Sequence, residues 1–134
     1  MVGGNGSSTE YISPNGDVSL GPDLPSPRSG HCMVSLPSGK VMIMGGMPKE
    51  SLKSVIIFDP DTNSFDTSVP SLIHERNDFA CVVFNSPLHE MRPVVLAIGG
   101  ESDEGTAEIY DFTYPGSTWL ESNISFTFFT GACT

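Results

Sequence analysis

His31, His74 and His89 are the histidines of this chain, and Cys32, Cys81 and Cys133 its cysteines. A metal site would need several such ligands to converge. His31 falls in an expected strand, His74 in a connecting segment and His89 in a hairpin, so they share no common position. Three cysteines are too few for a disulfide scaffold. Cys32 and Cys81 sit inside apolar strand patterns and Cys133 is next to last, and all three read as buried or idle free thiols. Asp59-Pro60-Asp61-Thr62-Asn63 alternates oxygen ligands as a calcium loop does, but lacks the central Gly and distant Glu of an EF-hand. It reads as a turn. Glu101-Ser102-Asp103-Glu104 reads as a solvated loop. No Gly-x-Ser-x-Gly elbow, phosphate-binding glycine loop followed by Lys, or His-Glu-x-x-His occurs. The expectation is a non-enzymatic chain with no cofactor and no metal.

The elements that must position these residues are short strands. Pro (11 residues) and Gly (14 residues) punctuate the sequence too often for a helical period to last three turns. Double glycines stand at Gly3-Gly4, Gly45-Gly46 and Gly99-Gly100, and from each pair to the next is 42 and then 54 residues. The second pair closes the apolar run Val41-Met42-Ile43-Met44, and the third closes Val94-Val95-Leu96-Ala97-Ile98. The two full units superpose. Strands are expected at 29–36, 41–44, 55–58 and 63–66 in one, and at 79–84, 94–98, 107–111 and 119–120 in the next. The first unit keeps its last two strands, with Glu10-Tyr11-Ile12 lying over Ile56-Ile57-Phe58 and Glu108-Ile109-Tyr110. Strands of this length between turn clusters, repeated with a period near 50, imply an all-β repeat protein.

In this arrangement the sequence resembles the kelch-repeat family. That pattern has an Arg opening the first strand, two Gly ending the second, a Tyr in the third and a Trp beginning the fourth. Here Arg28 and Arg76, the glycine pairs, and Tyr110 with Trp119 fill those places. The middle unit has Phe58 and Phe65 at the two aromatic positions, and the first has Ile12 and Val18. The resemblance implies a partial kelch-type β-propeller of about two and a half four-stranded antiparallel blades over residues 1–121, with a divergent tail at 122–134. Both ends break a blade, which suggests a truncated chain. Phe58, Phe65, Tyr110 and Trp119 are expected to be buried within or between blades.

The same alignment selects candidate contact residues. The loops between second and third strands, 47–53 and 101–106, and the links 20–28 and 68–76 open on one face of such blades. Lys49, Glu50 and Lys53 form one surface there; Glu101, Asp103 and Glu104 form another. Arg28 and Arg76 share a place where the innermost strand begins. They are either structural, bonded near a central channel, or part of a site for an acidic ligand. The resemblance implies a protein-interaction module with a protein partner. Two alternatives stand beside it: a fragment of a secreted propeller like galactose oxidase, for which Tyr11, Tyr110 and Tyr114 supply no matching copper set, and an extracellular adhesion or carbohydrate-binding domain.

Charge removes other classes. The net charge is −10, with 6 Lys+Arg in 134 residues, so no basic patch exists to hold nucleic acid. No run approaches a membrane span, and no membrane partner is expected. The N-terminus has neither the basic start nor the apolar core of a signal peptide, which leans toward an intracellular setting. Asn5 and Asn123 lie in N-x-S/T triplets that matter only in a secreted chain.

Overall fold

The computed structural model describes residues 2–3, 6–101 and 105–122. They form three antiparallel sheets, with helix confined to two short 3₁₀ turns at Lys49–Ser51 and Pro87–His89. Sheet 1 holds β1 (Val2–Gly3), β2 (Thr9–Ile12) and β3 (Val18–Leu20). Sheet 2 holds β4 (Cys32–Ser35), β5 (Val41–Met44), β6 (Val55–Asp59) and β7 (Ser64–Asp66) in that order. Sheet 3 repeats it with β8 (Ala80–Ser86), β9 (Arg92–Ile98), β10 (Ala107–Tyr110) and β11 (Leu120–Ser122). Each strand pairs with its sequence neighbour, so each sheet is a simple meander. Beside the two strands expected in full, the first unit has the two-residue β1, the end of a strand that the Gly3-Gly4 pair implies, which pairs with β2 through Val2–Glu10 and Gly3–Thr9.

Gly45 and Gly46 follow β5 directly and have φ of 60° and 91°. A side chain at Gly45 would strike the Arg76 carbonyl oxygen at 2.6 Å, and one at Gly46 the Ser29 carbonyl oxygen at 2.8 Å. Left-handed backbone and close chain approach together exclude any other residue here. Gly99-Gly100 holds the same place after β9, again with positive φ.

Both faces of sheets 2 and 3 are apolar, so each must be covered twice. One face of sheet 2 carries Met33, Ile43, Ile56 and Phe65, packed with Leu24 of the preceding link. Tyr11 of sheet 1 lies 6.2 Å from Phe58 on that side. The opposite face carries Met42, Met44, Val55 and Ile57. It packs in one layer against Val95, Ala97, Val83, Tyr110 and Trp119 of sheet 3. Phe58 pairs with Phe65 at 5.0 Å, and Tyr110 with Trp119 at 5.2 Å. Phe58 and Trp119 are buried and their partners half-buried, as expected for the two aromatic positions. The Trp119 indole N–H donates to the Pro70 carbonyl at 3.0 Å, tying sheet 3 to the link before it.

The cysteines correct the sequence reading. Cys32 and Cys81 form a disulfide, with Cα atoms 6.1 Å apart, and are not free thiols. Cys32 pairs across its sheet with Met44 and Cys81 with Ala97. With the glycine pairs superposed, Cys32 therefore matches Ala80, and Cys81 matches Met33. One residue of offset puts the two side chains on opposite faces of equivalent strands, facing each other across the layer between sheets. Cys133 lies outside the described residues.

Truncating Trp119 to Ala removes the largest side chain from that layer together with its bond to Pro70. The expected cost is about 3 kcal/mol, measured by denaturant unfolding; a change below about 1 kcal/mol would contradict the packing.

Candidate functional site

The loop ends of sheets 2 and 3 lie together because the link between the sheets binds both. Leu72 N–H donates to Lys53 O at 2.9 Å and Arg76 N–H to Leu52 O at 3.0 Å. Farther along the link, Glu101 N–H donates to Asn77 O at 3.0 Å, and Asn77 Nδ2 donates to Glu101 Oε2 at 3.1 Å. In loop 47–53, Ser51 and Leu52 turn inward and are buried, which anchors the 3₁₀ turn. Lys49, Glu50 and Lys53 are left exposed, as is Glu101. Loop 47–53 is thus fixed in backbone with Lys49, Glu50 and Lys53 turned outward, while Glu101 is exposed and bonded to Asn77. Asp103 and Glu104 lie outside the described residues.

Arg28 and Arg76 do not belong to that surface. They are 2% and 0% exposed, which removes them from contact with a ligand. Arg28 Nη1 donates to Gly45 O and Ser54 O, both at 3.1 Å, and Nη2 to Ser54 Oγ at 2.6 Å. Arg76 repeats the pattern on Gly99 O at 2.6 Å, Thr106 O at 3.3 Å and Thr106 Oγ1 at 3.1 Å. Each guanidinium closes the gap between the second and third strands just where the glycine pair ends pairing. Five N–H donors in a fixed fork suit that task. Ser54 and Thr106 were missed from sequence; their signal is a hydroxyl residue immediately before the third strand in both full units.

The two units solve the charge of this brace differently. Arg76 meets Glu108, with Nε and Nη2 donating to Oε2 at 3.1 and 2.9 Å and both side chains fully buried. Glu108 also accepts from the backbone N–H groups of Ile73 and His74. Its four bonds tie the third strand to the link. Ile56 holds the equivalent place beside Arg28, so Arg28 has no carboxylate in its bonding set. Arg28 Nε and His31 Nδ1 are buried without a protein hydrogen-bond partner. Burial lowers the pKa of Arg28. Burial, and then the Arg28 charge, lowers that of His31 below its ordinary 6.5. Glu10, which shares the Glu108 place in the first unit, is exposed.

A larger cleft, about 590 Å³, opens at the other end of β5. It lies where sheets 2 and 3 diverge, between Leu36, Lys40, Asp66, Pro70, Tyr110 and Phe112. Hydrogen bonds from the Ser68 hydroxyl and backbone N–H hold the Asp66 carboxyl below its usual pKa. Burial raises the Tyr110 phenol, and the charges of Asp66 and Asp111 add to that. Nothing in the sequence pattern marks this cleft, because its walls come from turns in two different units.

The histidines stay apart: His74 Nε2 meets Glu121 Oε1 at 2.6 Å, while His89 Nδ1 bonds Ser86 Oγ at 3.0 Å in the hairpin. Among the described residues no group of three or more His, Cys, Asp or Glu is placed to hold a metal, and no helix is long and apolar enough to cross a membrane. Asp59 to Asn63 forms a turn, with Asp61 N–H on Asp59 Oδ1 at 3.0 Å and Asn63 at φ 55°. Compared with known proteins, the chain matches no family model and no curated protein.

Glu108→Gln leaves the Arg76 charge buried without its counter-ion. Loss of about 3 kcal/mol or more of unfolding free energy is expected. Ile56→Val beside Arg28 should cost about 1 kcal/mol. Equal, small effects would show that the ion pair does not brace the third sheet.

Proposed function

We propose that the chain is a non-catalytic protein-interaction module whose sheets are blades of a kelch-type propeller. The carrying observation is the exposed, charged loop surface of Lys49, Glu50, Lys53 and Glu101, held on backbone fixed by the link between sheets. Recognition favours such a surface because loop residues can vary while the braced strands do not. Further support comes from the repeated meander, the glycine pairs and the aromatic pairs in register. Clustered lysines on one loop, in a chain of net charge −10, would select an acidic segment of a partner and hold it by local contacts.

The disulfide favours a second reading over an intracellular one. A bond between Cys32 and Cys81 forms and persists in oxidising compartments. An extracellular adhesion or carbohydrate-binding role fits that setting. The cleft between sheets 2 and 3, with Tyr110, Asp66, Ser68 and Lys40 in its walls, is then the place for a sugar.

Charge reversal at Lys49 and Lys53 together should weaken capture of an acidic peptide partner without moving the unfolding midpoint, while Lys40→Glu at the opposite end leaves capture intact. The reverse result would move function to the cleft and favour carbohydrate, which titration with oligosaccharides then checks. Thiol titration of the unfolded, unreduced chain should find one free cysteine. Three would remove the argument for an oxidising compartment.

A further inference from the structure

The layer between sheets 2 and 3 stays open at the end opposite the charged loops. Strand register puts Asp66 across from Ile57, and Ile57 across from Met42, whose side chain lies in that layer. Asp66 therefore stands on the face of sheet 2 that looks at sheet 3. Tyr110 pairs with Val95, also in the layer, and Pro93 precedes Val95 by two residues on the same face of sheet 3. The cleft of about 590 Å³ is the open margin of this layer, and its walls belong to sheets 2 and 3 and to the turns and link beside them.

The two walls are unlike. The side of sheet 2 supplies Lys40, Asp66 and Ser68, and the side of sheet 3 supplies Pro93, Tyr110 and Phe112. The polar wall has bonding capacity to spare. Both bonds from Ser68 go to Asp66 Oδ1, which leaves Oδ2 without a hydrogen bond among the described residues. The Lys40 ammonium has three donors and one carboxylate partner, Asp59 at 3.2 Å. The Tyr110 hydroxyl also makes no hydrogen bond among the described residues. Burial, reinforced by the charges of Asp66 and Asp111, raises its pKa, so it stays protonated and able to donate. Its ring is fixed in place, because Trp119 stacks on it at 5.2 Å and is itself bonded to Pro70.

A ligand for this slot needs an apolar face for one wall and, on its other side, groups that donate to Asp66 and accept from Lys40. A pyranose meets both conditions, since C–H groups form one face and each hydroxyl both donates and accepts. A proline-rich segment offers carbonyl acceptors but no N–H at its prolines to answer Asp66. Charge then decides between kinds of sugar. The carboxylates of Asp59, Asp66 and Asp111 outnumber the cations Lys40 and Arg92 that pair with them, in a chain of net charge −10. A uronate or sulfate group is repelled by such a field. We propose, resting on the second reading above in which this cleft takes a sugar, that its ligand is a neutral oligosaccharide. The C–H face lies against Tyr110 and Phe112, and a pair of hydroxyls bonds Asp66 and Lys40. The volume lies within the range of small-molecule sites.

Trp119 is the one tryptophan of the chain, and its stack on Tyr110 makes its fluorescence a reporter of the cleft. The test is titration with neutral gluco-, manno-, galacto-, xylo- and N-acetylglucosamine oligosaccharides, with oligogalacturonate as the acidic counterpart, followed by fluorescence and calorimetry. At least one neutral series should bind saturably, and oligogalacturonate should not. Asp66→Ala should weaken that binding about ten-fold or more. Tyr110→Phe, which keeps the ring and its stack, should weaken it several-fold. Circular dichroism of each variant separates lost binding from lost folding, and Asp66→Asn serves as replacement if Asp66→Ala unfolds. Oligogalacturonate binding as tightly as the neutral sugars overturns the neutral class and leaves the sugar reading standing. No binding by any sugar overturns both. Sugar binding that survives Asp66→Ala and Tyr110→Phe places the site elsewhere and overturns the assignment, as does saturable binding of a proline-rich peptide in place of the sugars. Charge reversal at Lys49 and Lys53 should leave sugar binding unchanged, which keeps this test separate from that of the loop surface.

Discussion

Everything in this molecule depends on sheets that are apolar on both faces. The run Val94–Ile98 has no polar side, and in a sheet its alternate residues must find cover in opposite directions. Val95 and Ala97 find it in sheet 2; Val94 and Leu96 belong to a separate cluster on the other side. Face-to-face stacking follows, and the loops must leave each sheet sharply where neighbouring chain crowds its end. Gly45-Gly46 and Gly99-Gly100 meet that need between the second and third strands of sheets 2 and 3, and the arginines make it stable. At Gly45-Gly46 and Gly99-Gly100 the strand ladder stops, and a buried guanidinium donates to the carbonyl of the first glycine.

The brace is also where the two full units diverge. Arg76 is neutralised by Glu108, which in turn holds the link through two backbone N–H groups. Arg28 is left with neutral oxygen acceptors, and apolar packing by Leu24, Ile43 and Ile56 takes the place of the carboxylate. A buried ion pair stabilises weakly in net terms but is costly to break, so the third sheet is the more exacting of the two. The disulfide adds a covalent tie to the layer that joins them. Its location fits a constraint on how two sheets face each other, since it joins the first strands of both.

Much of the fold was legible because its signals are local. Glycine pairs after apolar runs gave strand ends, and Phe58, Phe65, Tyr110 and Trp119 gave the packing between sheets. The strand β1 was legible only through its glycine pair, as the end of a strand cut off before Gly3-Gly4, since two residues carry no alternation. Leucine and arginine give opposite lessons about burial. Leu120 and Leu20 look like core residues and are exposed; Arg28 and Arg76 look like contact residues and are buried. Spacing placed the arginines correctly along the chain but could not say that strand-end carbonyls would claim every approach to them. The disulfide did carry a signal, a one-residue offset between the two cysteines on superposed units. It becomes readable only once the alternation of each strand is fixed to a face.

Sheets 2 and 3 form one structural unit through a shared layer, and the loop surface inherits its rigidity from that unit. Hydrogen exchange measures this directly at the amides of β5 and β9, the second strands of the two sheets. If the layer joins them, Met42, Met44, Val95 and Ala97 exchange with a common, slowest rate set by global unfolding, and Trp119→Ala speeds all four together. If the amides of β5 exchange at a different free energy from those of β9, and Trp119→Ala changes one set alone, the sheets fold independently and the account is wrong.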